Sequence, residues 1–160
     1  MNATEYEKID AQRGIDFIGV TCVFYCHDGK GNLLLHKRSN ACRDEQGRWD
    51  VGGGAMEFGE TFEDAVRREI GEEYGVEPIS LRLVGVRNVL RKHNERDTHW
   101  IAVLFCAEVD RDEVHRGDPE KMDAIGWFSP DDLPAPVHSM LLNHLQDIRD
   151  SGNEFLQNTL

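Results

Sequence analysis

One segment of this chain carries signals for its own beginning and end, and the segments on either side must be organised around it. Thr61 can cap a helix whose Asp64 lies three positions on, helical spacing persists to Tyr74, and Gly75 with Pro78 stops it. The preceding run Asp16 to Tyr25, DFIGVTCVFY, is β-branched and aromatic, and Asp28-Gly29 with Gly31-Asn32 supplies turn chemistry before Leu33-Leu34-Leu35, which predicts a β-hairpin. Arg48 to Val51 reads as a short strand entering Gly52, Gly53 and Gly54, where the backbone can be approached closely.

Beyond the helix, Leu81 to Leu90 and Trp100 to Val109 are strand candidates, with the charged stretch Arg91 to Thr98 expected as a flexible hairpin loop. Asp110 to Asp123 reads as a loop and Ile125 to Phe128 as a last short strand. Ser129-Pro130 opens a helical turn, and Val137 to Arg149 forms a terminal amphipathic helix. Strands on both sides of a central helix, with a second helix at the end, predict an α/β class fold: an α/β/α sandwich with a mixed, curved sheet between helices. The length of 160 residues fits a single domain, with 1–13 as an N-terminal extension and 151–160 a fraying tail.

The 30 acidic and 18 basic side chains give a formal charge of -12, which disfavours polymeric nucleic acid and anionic membranes as partners. A small phosphorylated substrate stays compatible, because a metal ion inverts the local charge of an acidic site. No apolar run approaches the ~20 residues of a membrane span, the first 13 residues have no apolar core, and Cys22, Cys26, Cys42 and Cys106 form no CxxC pair. These features predict a cytoplasmic protein with reduced thiols.

On a helical wheel Phe62, Val66 and Ile70 form one apolar stripe, and Glu69, Glu72 and Glu73 overlap its edge instead of lying opposite. The like-charge pairs Glu69 with Glu72 and Glu69 with Glu73 each cost roughly 0.2–0.5 kcal/mol in an isolated helix, more when partly desolvated. Elsewhere the helix follows ordinary surface chemistry, with Glu63 and Arg67, and Asp64 and Arg68, spaced for i,i+4 ion pairs. A hard divalent cation, magnesium or manganese, would remove the local repulsion. An acidic solvated face is the competing explanation for three glutamates taken alone.

The wider spacing decides between them. Gly54, five residues, Glu60, seven residues, then Arg68-Glu69-Ile70-Gly71-Glu72-Glu73-Tyr74-Gly75-Val76 resembles the Nudix box, G-x5-E-x7-R-E-U-x-E-E-x-G-U with U aliphatic, at every specified position. A chance match in a chain of this size is on the order of 10^-6 or rarer. The flanks are similar too: Trp49 ahead of the glycines, Glu57-Phe58-Gly59-Glu60 in the loop, and Trp127-Phe128-Ser129-Pro130 before Leu133-Pro134. Gly52 stands where many members of that family carry proline.

The resemblance implies a metal-dependent pyrophosphohydrolase acting on a nucleoside diphosphate-linked substrate. Glu72 and Glu73 are implied as main magnesium ligands, Glu69 as a further ligand or the general base, and Glu60 as a loop brace or metal contact. Arg68 is implied to hold Glu69, and the Gly53 carbonyl to approach the ion, with Gly54 at a loop bend. Glu120 is the positional candidate for an additional acid from a late loop, with Glu113 and Asp118 as rivals. Arg38, Trp49, Gly53 and Gly54 are candidates for the substrate pocket, beside Phe17, His36, Lys37 and Trp100.

Length and loop sequence look like the members that cleave a (deoxy)nucleoside triphosphate to monophosphate and pyrophosphate. An ADP-ribose or nucleotide-sugar pyrophosphatase and a non-catalytic nucleotide-sensing module are the alternatives; a structural calcium protein is a third. The resemblance allows a homodimer, which the sequence does not test.

Overall fold

A computed structural model describes residues 11–152 of the chain. Seven strands and two helices follow in the order β1 (Gly19–His27), β2 (Leu33–Arg38), β3 (Trp49–Asp50), β4 (Gly52–Ala55), α1 (Phe62–Tyr74), β5 (Ser80–His93), β6 (Arg96–Glu108), β7 (Met122–Phe128) and α2 (Leu141–Asp150). The strands form one mixed sheet, ordered β3-β2-β1-β6-β5, with β4 added to β1 and β7 to β2. The expected frayed segment from 153 onward and the first ten residues of the expected extension lie outside the described residues.

Strand β1 organises the sheet. It pairs in parallel with β6 along its whole length, from Gly19 with Trp100 to His27 with Glu108. Its other edge is divided: β4 takes Thr21 to Phe24 in antiparallel register, and β2 takes only His27. The predicted hairpin between β1 and β2 is therefore joined at its turn alone, and the glycine run, with Gly54 expected at a loop bend, is a strand laid closely against β1.

Alternation along β1 sends side chains to two separate cores. Cys22, Phe24 and Cys26, with Leu34, Val103, Phe105 and Ala107, pack under Ala65, Val66, Ile70 and Tyr74 of α1. Tyr25, Leu33, Leu35 and Cys106 pack under Leu141, Leu145 and Ile148 of α2. Helices thus cover both faces, the α/β/α sandwich expected from element order. Each fully buried aliphatic side chain such as Ile70 or Ile148 contributes about 1.5–3 kcal/mol.

Helix α1 is bounded as its sequence requires. The Thr61 hydroxyl accepts from the Asp64 N–H at 3.2 Å, and Gly75, at φ 65°, closes the C-terminus. Phe62 is more exposed than its place in the stripe implied, and Ala65 and Tyr74 are buried in addition to Val66 and Ile70.

Two other expectations differ. The charged stretch 91–98 is not a loop: β5 and β6 run on to a two-residue turn at Asn94 and Glu95, both at positive φ, and pair from His93 with Arg96 onward. The last helix begins at Leu141 and not Val137, because Val137 is engaged in a bridge with Trp49, and the Ser129-Pro130 segment forms a turn without a helix.

Candidate active site

The C-terminal half of α1, β4 and the loop 118–121 enclose a cleft of about 890 Å³, lined by Gly53, Gly54, Arg68, Glu69, Glu72, Glu73, Asp118 and Lys121 among others. A smaller cavity of about 350 Å³ adjoins it and shares Gly53, Ala55, His36, Arg38, Arg43 and Glu73. Two connected chambers therefore meet at the glycine strand.

Arg68 is the hub of the larger chamber. Its Nε and Nη2 donate to the two carboxylate oxygens of Glu60, at 2.6 and 3.0 Å, and its Nη1 donates to Glu69 Oε1 at 2.8 Å. Glu72 stands 3.6 Å away. The i,i+4 partner expected from spacing, Asp64, is not used, and Arg67 pairs with Glu77 instead of Glu63. The Arg68 guanidinium beside Glu60 holds that carboxyl down to about 2. The same bonds, first those to Glu60, raise the pKa of Arg68.

Glu69 is differently placed. Burial pushes its pKa up despite the opposing pull of Arg68, and the charge of Glu72 adds to the rise. It lies so close to the glycine strand that a Cβ at Gly54 would stand 2.0 Å from its Oε1. No side chain larger than hydrogen fits there without displacing the carboxylate.

Glu73 is the most strained of the three. Its Oε2 is buried and has no hydrogen-bond partner among the described residues, and a Cβ at Gly52 would stand 2.6 Å from that oxygen. Burial raises its pKa well above the ordinary carboxylate range, the Glu69 charge raises it further, and the Gly53 backbone opposes the rise. Glu72 and Glu73 also lie in the last turn of α1, the negative end of the helix dipole, where a carboxylate is unfavourable by roughly 0.3–1 kcal/mol.

The three glutamates share one cleft wall, but among the described residues no three His, Cys, Asp or Glu side chains stand close enough to hold an ion as they are. Glu69 is turned toward Arg68, the half-buried Glu73 lays its Oε2 against Gly52 of β4, and the Glu72 side chain is 60% exposed. The donor chemistry nevertheless suits a hard divalent cation: three carboxylates, one with an orphaned buried oxygen, beside a glycine backbone that can approach closely.

The late loop reaches the cleft through its backbone. Gly117 N–H donates to the Glu73 carbonyl at 2.8 Å and His115 N–H to Tyr74 at 3.1 Å, which docks the loop on the end of α1. Ser39 fastens it from the other side: its hydroxyl donates to the Glu120 carbonyl at 2.5 Å and its N–H to the Lys121 carbonyl at 2.9 Å. This clamp brings Asp118 and Lys121 to the cleft, while the exposed Glu120 and Glu113 side chains are not among its lining residues.

The pocket candidates separate in the same way. Arg38, Gly53 and Gly54 line the larger cleft, but Trp49 stacks edge-on against Phe128 at 5.1 Å and packs into the core under α2. Its neighbour Asp50 lines the smaller cavity instead. Burial pushes Asp50 up to about 7, against the pull of Arg38 at 3.7 Å. His36 and Trp100 also line the smaller cavity, whereas Phe17 and Lys37 line neither. His36 shares a 2.9 Å hydrogen bond with Tyr74.

Sequence reasoning did not single out Asp50, Arg91, His138 or Lys121. Around Asp50, Arg91 pairs with Glu45 at 2.6 Å, and Glu45 in turn accepts from the Ser139 N–H at 2.7 Å. These contacts join residues far apart in the chain, so no local pattern announced them.

The NUDIX domain family model matches residues 17–147. The chain is 32% identical to the structure of a MutT NUDIX hydrolase from Burkholderia pseudomallei, with TM-score 0.72, covering 82% of this chain and 98% of that one. It is 30% identical over 133 residues to the Mus musculus 8-oxo-dGDP phosphatase NUDT18, covering 80% of this chain but 36% of that protein. An ADP-ribose pyrophosphatase from Methanocaldococcus jannaschii is 34% identical over 120 residues, 74% of this chain and 64% of the relative. The chain thus spans well under half of the mouse protein.

Proposed function

The chain belongs to the Nudix family, and on that premise we propose that it is a metal-dependent pyrophosphohydrolase that cleaves the phosphoanhydride of a nucleoside diphosphate-linked substrate. The substrate class favoured is a (deoxy)nucleoside triphosphate, hydrolysed to the monophosphate and pyrophosphate. The observation that supports this reading is the orphaned Oε2 of Glu73, a buried acceptor with no partner among the described residues, beside a second raised carboxyl, Glu69. Such an arrangement is unfavourable until a cation enters, and a cation there faces a cleft wide enough for a polyphosphate.

Glu72, Glu73 and Glu69, with Glu60 and the Gly53 carbonyl, would hold magnesium or, as a substitute, manganese. The bound ion supplies positive charge for the diphosphate and for the oxygen that leaves it. Glu69 takes the proton of the attacking water, while Arg68 fixes its orientation from the Glu60 side. The water oxygen bonds to one phosphorus as the bridging P–O bond on the opposite side breaks. The nucleoside lies in the smaller cavity, whose Asp50, Arg91 and Trp100 offer polar and aromatic contacts.

A second reading, an ADP-ribose pyrophosphatase, is favoured by the similarity to the Methanocaldococcus jannaschii enzyme. The experiment that separates them is a panel of triphosphates, 8-oxo-nucleotides, ADP-ribose, nucleotide sugars and dinucleotides with magnesium, products resolved by chromatography. Monophosphate and pyrophosphate from a triphosphate is the expected result. Binding of nucleotides with no product from any of them would remove catalysis and leave a sensing module.

A further inference from the structure

Arg13 lies ahead of the residues that the family model spans, yet it lines the larger cleft. The turn that carries it is firmly built. Gly14 N–H donates to Phe17 at 2.7 Å, Asp16 N–H to Gln12 at 2.9 Å, and His99 N–H to the Gly14 carbonyl at 2.8 Å. A Cβ at Gly14 would stand 2.1 Å from Trp100 Nε1, so the turn lies flat on the indole, and Gly14 sits at φ +77°. From this anchored position Arg13 Nη1 donates to the Met56 carbonyl at 3.0 Å.

What distinguishes Arg13 is that it has no acidic partner among the described residues. Arg38, Arg43, Arg68 and Arg91, the other arginines of the two chambers, each have a carboxylate within 3.7 Å. Arg13 has none among the described residues, in a chain with 30 acidic side chains. A guanidinium has five N–H donors, and the bond to Met56 fixes its place while using one. The remaining donors form a fork that matches a phosphate bidentately.

Position indicates which phosphate. Arg13 lines the larger chamber only, whereas the smaller cavity opens into that chamber at Gly53, Ala55 and Glu73. With the nucleoside in the smaller cavity, as the preceding reading requires, the phosphates pass the shared wall at Ala55 and Glu73 into the larger chamber, where the bond to Met56 holds Arg13. We propose that Arg13 is a specificity-determining residue that binds the terminal phosphate, so that it favours nucleoside di- and triphosphates over diphosphates capped by a neutral sugar.

The test compares kcat/KM for a nucleoside triphosphate and for ADP-ribose in wild type, Arg13→Gln, Arg13→Lys and Lys30→Gln, all with magnesium. Lys30→Gln removes the same charge from an exposed turn remote from both chambers. The triphosphate-to-ADP-ribose ratio should fall about ten-fold in Arg13→Gln, recover in part in Arg13→Lys and stay at the wild-type value in Lys30→Gln. An equal loss on both substrates, or no loss, overturns the assignment.

Thermal unfolding with magnesium and inorganic tripolyphosphate gives a readout independent of turnover. A midpoint rise in wild type and Lys30→Gln that shrinks in Arg13→Gln supports the role. An equal rise in all three, or none in wild type, overturns it. If no anhydride is hydrolysed by any variant, the enzymatic reading fails, and the tripolyphosphate comparison still decides on Arg13.

Discussion

Arg68 turns away from Asp64, its natural helical partner, and instead donates to Glu69 at 2.8 Å from the adjacent helical position while its other nitrogens grip Glu60. The guanidinium fork is what makes this triple contact geometrically feasible, and a lysine ammonium has no equivalent. Arg68→Lys should lower kcat by about 10–100-fold with a small change in thermal stability. A steady-state assay beside a melting curve checks it; a variant of unchanged kcat would show that Arg68 does not position Glu69.

Gly54→Ala tests the same carboxylate from the opposite wall. The added methyl would stand 2.0 Å from Glu69 Oε1, so the side chain must leave its present position. Activity should drop by about two orders of magnitude, as expected of a misplaced catalytic group. The matching substitution at Gly47, where a Cβ meets nothing within 4 Å, should leave kcat unchanged although its positive φ lowers stability.

Glu73→Gln should separate stability from function. Its carboxyl is raised above the unfolded value, so its ionised form penalises the folded state above that value, and the penalty disappears as pH falls below it. In a chelator at neutral pH the variant should melt a few degrees higher than wild type, and the advantage should shrink near pH 4. Hydrolysis should be lost. A variant that melts lower than wild type at neutral pH contradicts the strained-carboxylate account.

Acid should destabilise the protein through two buried imidazoles. Burial, aided by nearby arginines, lowers His36 and His144 to about 4, below the ordinary imidazole value of 6.5 that applies when the chain unfolds. The unfolded state therefore binds more protons, and stability present above pH 6.5 is lost as pH falls through 4. The slope of melting temperature against pH over that window should flatten in His144→Gln, and an unchanged slope would exclude His144 as a source.

The central helix was legible because its signals are local: Thr61, Gly75 and the glutamate spacing all lie within one segment, and the cap geometry follows them. Its Arg68 partner was not, since Glu60 competes with Asp64 only once β4 turns the loop back over the helix. The hairpin turn at Asn94-Glu95 was hidden by charge, which reads as loop in sequence but is equally stable on a solvated two-stranded edge. The clamp from Ser39 to Glu120 spans 81 residues and the Arg13 contact with Met56 spans 43. The first contact follows from the pairing of β2 with β7 and the second from that of β4 with β1, for which no short motif exists. Trp49 illustrates the same limit: an aromatic near a glycine run suggests a pocket, but its bridge to Val137 draws it under α2.

Manganese binding followed by electron paramagnetic resonance measures, without any substrate, whether the α1 carboxylates form a cation site. Wild type should remove free manganese from solution with saturable stoichiometry, magnesium should compete, and Glu69→Gln with Glu73→Gln should abolish the uptake. Equal uptake by wild type and the double variant would contradict the assignment of these glutamates.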